Sequence, residues 1–265
     1  MKKIYSYGKG VISYRDQGKG KVIVLVHGYL ETSEIWTGFA RKLAESFRVI
    51  SVDLPGHGGS DIYSDVHTVE FMATVIRDLT EDTGTGKIFL AGHSMGGYVA
   101  LAFADLYPEK LTGYCLFHSH PFADTPEVIK RRKMEIRLIQ AGKWNMFFSD
   151  SIQKMFASKN LEKFKAELQH SKEISSTIPG EAIISVLNGM MARPSRLPVM
   201  EEGRIPLLWI LGAMDNYINC EQIQGRVRLP GNAELCVLPD SGHMGFVEEE
   251  EHSLKVLAEF VNKCS

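Results

Sequence analysis

The sequence has little excess charge, few cysteines and no long apolar run. Its 265 residues carry 30 basic and 32 acidic side chains, unlike the basic balance of nucleic-acid-binding proteins. Runs such as 22–26 and 207–211 are far shorter than the ~20 residues that span a bilayer, so we expect neither nucleic acid nor membrane as a partner. No apolar stretch follows Lys2 and Lys3, so we expect no signal peptide and a cytoplasmic protein. The four cysteines have no CxxC spacing and are expected to be free thiols.

Short β-branched segments alternate with segments of helical periodicity. Six segments are predicted to be strands: 22–26, 48–53, 87–91, 113–117, 206–211 and 234–238. Residues 3–7 and 11–15 are typical of a hairpin that turns at Gly8-Lys9-Gly10. Apolar stripes within 71–79 and 254–261 predict helices. This alternation predicts an α/β fold with parallel strands and helices on both faces of the sheet.

The alternation stops between about residues 121 and 203. Charged helical patterns at 127–141, 161–174 and 181–191 leave no convincing strand there. We interpret 121–203 as a helical cap inserted into a core made of residues 1–120 and 204–265. Bulky apolar side chains in the cap, among them Trp144 and Phe148, are expected mostly to form its own core. A minority would roof a pocket for an apolar acyl or alkyl group.

The most informative stretch is Gly92-His93-Ser94-Met95-Gly96, a G-x-S-x-G motif between a predicted strand and a predicted helix. In that context a sharp turn presents the serine hydroxyl at the carboxyl edge of the sheet. The two glycines let neighbouring segments approach, and the N-terminal amides of the helix face the same point. A hydroxyl is a poor nucleophile at neutral pH, so Ser94 needs a base and a group that orients the base.

Candidates for both groups follow later strands. Asp215 comes after the 206–211 strand and His243 after the 234–238 strand, and parallel sheets place their sites at such loops. His243 would take the proton of Ser94, and Asp215 would hold the other ring nitrogen. Asp240, three residues before His243, is the alternative to Asp215, either orienting the imidazole or capping a turn.

Other residues near the predicted strand ends are assigned to supporting roles. The backbone N–H groups of Tyr29 and Met95 are predicted to form an oxyanion hole. His118 and His120 follow the 113–117 strand, and one of them is expected to face the substrate, with strand-end packing as the equal alternative.

The remaining motif residues are expected to be structural. Asp53 should hold a turn, and His27, His57 and His93 should shape loops through hydrogen bonds. No HxH or HExxH spacing on one element supports a metal site there, so neither a metal nor another cofactor is predicted. The acidic run 248–251 suits the positive end of the dipole of the final helix.

Five segments in order resemble the α/β-hydrolase superfamily over nearly the whole chain: VLVHGY (24–29), DLPGHGGS (53–60), GHSMGG (92–97), LGAMD (211–215) and SGHM (241–244). The resemblance implies an eight-stranded, mostly parallel sheet, a triad of Ser94, Asp215 and His243, and a cap after the sixth strand. The chain is similar to the cofactor-free branch that includes carboxylesterases, C–C bond hydrolases and serine haloperoxidase-like proteins. Dehalogenase and epoxide-hydrolase relatives carry Asp as the nucleophile, so Ser94 argues against both.

These observations lead to a serine hydrolase that cleaves a small carboxylic ester through an acyl intermediate on Ser94. One alternative keeps the triad and cleaves a C–C bond. Another is a ligand-binding protein without catalytic activity on the same scaffold. No motif encodes the pocket, so the substrate is not predicted beyond a small molecule.

Overall fold

The architecture is that of a single eight-stranded sheet with helices packed on it. The computed structural model describes residues 2–264, and within them every side chain except those of residues 144–147. The strands are β1 (Lys2–Tyr7), β2 (Gly10–Gln17), β3 (Val22–Val26), β4 (Arg48–Val52), β5 (Ile88–His93), β6 (Leu111–Phe117), β7 (Leu207–Gly212) and β8 (Ala233–Leu238). Each predicted strand is present, and so is the hairpin, in which Gly8 takes a positive φ of 55°.

The strand order is β1-β2-β4-β3-β5-β6-β7-β8. Strands β1, β2 and β4 pair antiparallel, and all other pairs are parallel, so the predicted mostly parallel sheet is confirmed. From β3 the chain runs first to β4 on one side and later to β5 on the other. The carboxyl ends of β3 and β5 therefore flank the point where the winding reverses, which is where open α/β sheets bind ligands.

The helices are α1 (Thr37–Leu43), α2 (Val69–Asp82), α3 (Met95–Leu106), α4 (Pro126–Gln140), α5 (Trp144–Met155), α6 (Lys165–Ser176), α7 (Gly180–Ala192), α8 (Leu197–Glu202), α9 (Cys220–Gln224), α10 (Gly245–Glu248) and α11 (Glu250–Lys263). Helices α2, α4, α6, α7 and α11 match predicted helical patterns to within a few residues. Helix α5 was missed, because its bulky side chains were interpreted as the core of the cap and the roof of a pocket, and no helical stripe was assigned to them. Helices α1, α8, α9 and α10 have seven residues or fewer, too few for a periodic pattern to show.

Helices α4 to α8 all lie between β6 and β7, where the sequence predicts an insertion after the sixth strand. Within the described residues this interval contains no strand. Its helices join the main hydrophobic core through Phe148 and Ile152 of α5 and Ile183 of α7, which are all buried. Their function as a cap stays a prediction.

The core of the sheet is made of strands buried along their length. Strand β3 lies inside the sheet between β4 and β5, and all five of its residues are buried, as in parallel sheets covered by helices on both faces. Beside them Trp36, Phe39, Phe117 and Phe246 pack as a cluster of rings, with Trp36 and Phe246 centroids 4.2 Å apart. The four cysteines are free thiols, as predicted.

None of the helices in the described part of the chain combines the length and apolarity needed to cross a membrane. The expected cytoplasmic location stays a prediction.

Candidate active site

Ser94 sits in a strained turn between β5 and α3. Its φ of 49° is unusual for a residue with a side chain. A Cβ on Gly92 would lie 2.1 Å from the carbonyl oxygen of Gly96, and a Cβ on Gly96 would lie 2.4 Å from that of Val26. Both positions therefore require glycine, as the motif predicts, and their close contacts hold the turn in place.

Backbone strain is concentrated around this turn. Between residues 2 and 264 the non-glycine residues with positive φ are Leu30, Ser94 and His118. They follow the carboxyl ends of β3, β5 and β6, which are neighbouring strands. Such conformations cost about 1–3 kcal/mol each and cluster at functional sites. This edge of the sheet is therefore the candidate site.

The segment after β3 approaches the serine closely. A Cβ on Gly28 would lie 3.2 Å from the Cβ of Ser94, so only a glycine fits without displacement. Among the described residues, the backbone N–H groups of Tyr29 and Met95 have no hydrogen-bond partner. Two unpaired amide donors on either side of Ser94 are what an oxyanion hole needs. Their role stays a prediction.

Asp215 and His243 form a buried hydrogen-bonded pair. The imidazole Nδ1 of His243 donates to Oδ2 of Asp215 at 2.7 Å. The other carboxylate oxygen, Oδ1, accepts the backbone N–H groups of Tyr217 at 2.7 Å and Ile218 at 3.0 Å. The carboxylate is thus held on both oxygens, and its partner ring is fixed in one orientation.

The electrostatics favour an ionised Asp215 and make His243 a stronger base than a free imidazole. Burial raises the pKa of Asp215, but the charge and hydrogen bond of His243 and the nearby ring of His118 lower it further, so the carboxyl stays ionised. Burial lowers the pKa of His243, and the charge of Asp215 more than offsets this, so the net pKa lies above 6.5. With Nδ1 carrying its proton toward Asp215, Nε2 is the nitrogen left to accept one.

The loop of His243 lies beside the turn of Ser94. The carbonyl oxygen of His243 accepts a hydrogen bond at 2.8 Å from Nε2 of His93, the residue before Ser94. Ser94 Oγ and His243 Nε2 have no partner among the described side and main chains. Catalytic hydrogen bonds are often long before substrate binds.

Asp240, the alternative to Asp215, lies apart from the imidazole. Its side chain is 64% exposed and pairs with Lys159 on the surface. Asp215 is therefore the aspartate that contacts the imidazole, and its role in orienting the base stays a prediction.

His118 contacts Asp215 from a second direction. Its ring is fully buried, Nε2 accepts the backbone N–H of Gly245 at 3.0 Å, and Nδ1 lies 3.6 Å from Asp215 Oδ2. Since Nε2 is the acceptor, Nδ1 carries the proton. Burial lowers the pKa of His118 to about 4, so the ring is neutral. The sequence predicts that either His118 or His120 faces the substrate, with strand-end packing as the equal alternative, and for His118 this stays a prediction.

The side chains of His118, Asp215 and His243 also bring three potential metal ligands within 4.8 Å of one another. The hydrogen bonds of the two histidines argue against a metal ion here. In both histidines the nitrogen that faces Asp215 carries a proton, and a ligating nitrogen must lose it. The hydrogen bond of His243 to Asp215, with the ring of His118 beside the same oxygen, accounts for the cluster without a metal ion.

The other residues suggested for substrate binding are placed as follows. His120 lies against Tyr98, with Nε2 3.3 Å from the tyrosine oxygen, while its Nδ1 accepts the N–H of Phe122. Phe148 packs edge-on against Tyr29, with ring centroids 6.4 Å apart. The side chain of Trp144 lies outside the described residues. Substrate contact by these residues stays a prediction.

Residues 21–159 match the family model described as the alpha/beta hydrolase fold. The chain belongs to this family.

Known proteins similar to this α/β hydrolase fall into several activity groups. A thermophilic esterase from Thermogutta terrifontis, solved with malate bound, is 27% identical and covers 100% of this chain and 99% of its own, with a TM-score of 0.92. A 2-hydroxy-6-oxononadienedioate/2-hydroxy-6-oxononatrienedioate hydrolase from Burkholderia vietnamiensis is 26% identical over 95% of this chain and 91% of its own length. An uncharacterised protein of Mycobacterium tuberculosis is 39% identical over 97 residues, 37% of this chain. The chain matches only 28% of the length of that relative. Family and relatives support hydrolytic activity.

Sequence reasoning missed two buried carboxylates of this α/β hydrolase. Glu31 is 2% exposed and contacts Gly28 and His93, and nothing in its local sequence indicates this. Glu248 was assigned to the dipole of the final helix, which is wrong. It lies in the separate helix α10, because α11 begins only at Glu250.

Glu248 joins the loop of His243 to the helices between β6 and β7. Oε2 accepts the N–H of Gly242 at 2.7 Å, and Oε1 accepts Ala157 N at 2.8 Å and Asn160 Nδ2 at 2.9 Å. Only the folded chain brings these donors together, since they lie up to 91 residues from Glu248.

His27, His57 and Asp53 hold loops, as expected. His27 Nε2 accepts the N–H of Leu54 at 3.0 Å, and the ring of His57 lies against it at 5.0 Å. Asp53 accepts the N–H groups of Ser33 and Gly59.

Proposed function

We propose that the protein hydrolyses small carboxylic esters through an acyl intermediate on Ser94. As Ser94 Oγ attacks the ester carbonyl, His243 Nε2 takes its proton, and Asp215 stabilises the imidazolium that results. The oxyanion accepts the N–H groups of Tyr29 and Met95. His243 then protonates the leaving alcohol, and water releases the acid by the same steps in reverse.

One observation carries the proposal. The Asp215–His243 pair, hydrogen bonded at 2.7 Å, lies at the sheet edge where Ser94 occupies its strained turn. A buried, oriented imidazole with an unoccupied Nε2 is the base that a serine nucleophile needs. The full-length similarity to the Thermogutta terrifontis esterase supports the ester as the bond that is cleaved.

We further propose that residues 121–203 act as the cap over this site. The backbone N–H of His243 donates to the carbonyl of Met155 at 2.6 Å, and the hydroxyl of Tyr217 donates to that of Ser151 at 2.7 Å. The hydroxyl of Tyr29 reaches Glu135 of α4 at 3.3 Å. These contacts support helices α4 and α5 as the roof. The aromatic rings of Tyr29 and Phe148 would face an apolar acyl or alkyl group.

The test is turnover of chromogenic acetate and butyrate esters, with labelling by a fluorophosphonate probe followed by intact mass. We expect turnover and one label in the wild type, and a loss of about 10⁶-fold with no label in Ser94→Ala. Ser46→Ala, on the exposed surface, is the matched control and should behave like the wild type. Turnover retained in Ser94→Ala would refute the covalent mechanism.

A C–C bond hydrolase is the second candidate. Its support is the similarity to the Burkholderia vietnamiensis hydrolase over nearly the full chain. The same variants assayed with a β-diketone and a vinylogous acid distinguish the two. A kcat/KM for these substrates well above that for every ester would favour C–C cleavage.

A further inference from the structure

A buried histidine that takes no part in the proposed proton transfer connects three parts of the site. His93 Nδ1 lies 2.9 Å from Oε2 of Glu31, and Nε2 lies 2.8 Å from the carbonyl oxygen of His243. The same oxygen of Glu31 accepts the N–H of Gly28 at 2.6 Å. His93 therefore links the turn of Ser94, the segment after β3 and the main chain of His243.

The partners determine where the ring protons are. A carbonyl oxygen only accepts, so Nε2 of His93 must carry a hydrogen to bond to His243. Nδ1 faces a carboxylate oxygen, which also accepts as long as Glu31 is ionised. The geometry supports an acceptor here, because the same oxygen, Oε2, already accepts the N–H of Gly28 at 2.6 Å, and this hydrogen bond lowers the pKa of Glu31 against the effect of burial.

The surroundings supply no competing partner for this ion pair within the described residues. The ring of His93 is packed against Trp36 and Phe246, with centroid distances of 6.3 and 5.0 Å. The titratable groups that face it are Glu31 itself and the rings of His118 and His243, at 6.1 and 4.9 Å. His27, the residue after β3, lies near Glu31 and is neutral, because burial lowers its pKa.

We propose that His93 donates a hydrogen bond from each ring nitrogen, to Glu31 and to the carbonyl oxygen of His243, and so positions the oxyanion donors and the His243 loop relative to Ser94. It is a positioning residue, because its two nitrogens are occupied by protein and do not reach substrate. The pair of His93 and Glu31 acts through Gly28. Glu31 fixes the N–H of Gly28, and this positions the next amide along the chain, that of Tyr29. Its effect on rate rests on the proposed function; its protonation state does not.

The protonation state is tested by ¹⁵N NMR of the histidine side chains at about pH 8, where an ordinary histidine with a pKa of ~6.5 is neutral. We expect both ring nitrogens of His93 to carry protons in the wild type. In Glu31→Gln, which removes the charge and keeps the shape, one of the two protons should be lost. A wild-type ring with a single proton overturns the proposal.

The positioning role is tested by kinetics of the same variant on the ester that the wild type cleaves best. Misplaced oxyanion donors stabilise the transition state less well but leave substrate binding largely unchanged. We therefore expect kcat to fall about tenfold to a hundredfold, with KM changed by less than about threefold. Glu34→Gln is the matched control, because Glu34 is a surface glutamate three residues away that pairs with Arg15. A kcat in Glu31→Gln within about twofold of the wild type would overturn the positioning role.

The two arms separate this inference from the proposed function. If no ester or diketone is cleaved, the proposed function fails while the NMR result still decides the state of His93. If Glu31→Gln does not fold, the wild-type spectrum alone decides it.

Discussion

Replacing Asp215 with asparagine should move the ring proton of His243 from Nδ1 to Nε2. In the wild type, Oδ1 accepts the N–H groups of Tyr217 and Ile218, and Oδ2 accepts Nδ1 of His243. An asparagine has one oxygen, and two backbone donors compete for it at the Oδ1 position. Its NH₂ group must then replace Oδ2 and face the imidazole.

An NH₂ group facing Nδ1 can only donate, so Nδ1 becomes the acceptor and the ring proton moves to Nε2. That nitrogen is the one that must take the proton of Ser94. A wrong tautomer of this kind costs about 10⁴ in kcat, equivalent to about 5.4 kcal/mol of transition-state stabilisation. KM should change little, because Asp215 does not reach the substrate.

The assay is steady-state hydrolysis of a chromogenic butyrate ester by Asp215→Asn, with circular dichroism to verify the fold. Asp240→Asn is the matched control, since Asp240 pairs with Lys159 at the surface and should leave kcat unchanged. If Asp215→Asn kept more than about a tenth of wild-type kcat, the tautomer argument would be refuted. If Asp240→Asn were the damaging change, the acid would be misassigned.

Three further outcomes are expected. Because Asp215 raises the pKa of His243 above 6.5, kcat/KM should fall about tenfold per pH unit on the acidic side of that pKa, and a profile that is flat down to about pH 5 would contradict the base. Gly28→Ala places a Cβ 2.9 Å from Glu31 Oε2 and His93 Nδ1, so kcat should fall about a hundredfold. Gly38→Ala is the control: its Cβ would lie 3.6 Å from the nearest atom, Oε1 of Glu250, and kcat should not change. Glu248→Gln replaces one acceptor oxygen by an NH₂ donor that faces N–H donors, so the free energy of unfolding measured in urea should fall by about 1–3 kcal/mol. The exposed Glu251→Gln is the control and should show no loss; equal stabilities of the two variants would mean that the contacts of Glu248 do not stabilise the fold.

Local pattern was sufficient for most of the fold. Strands such as 22–26 are short β-branched runs soon followed by a glycine. Because such strands are buried on both faces, every position is apolar, and the run can be identified from the local sequence alone. The turn at Ser94 is also local, since Gly92 and Gly96 are needed within five residues of each other. The short helices α1, α8, α9 and α10 were not predicted, because one or two turns are too few for a periodic pattern to show.

The residue types and their order along the chain were enough to nominate Ser94, Asp215 and His243, because a serine nucleophile needs a base and an orienting acid at successive strand ends. Which aspartate meets His243 was decided by the tertiary structure alone. So were the contacts of His93 with Glu31, 62 residues away, and of His118 with Gly245, 127 residues away. Loops from different strands meet only once the sheet has formed, and no local pattern records which side chains then face each other.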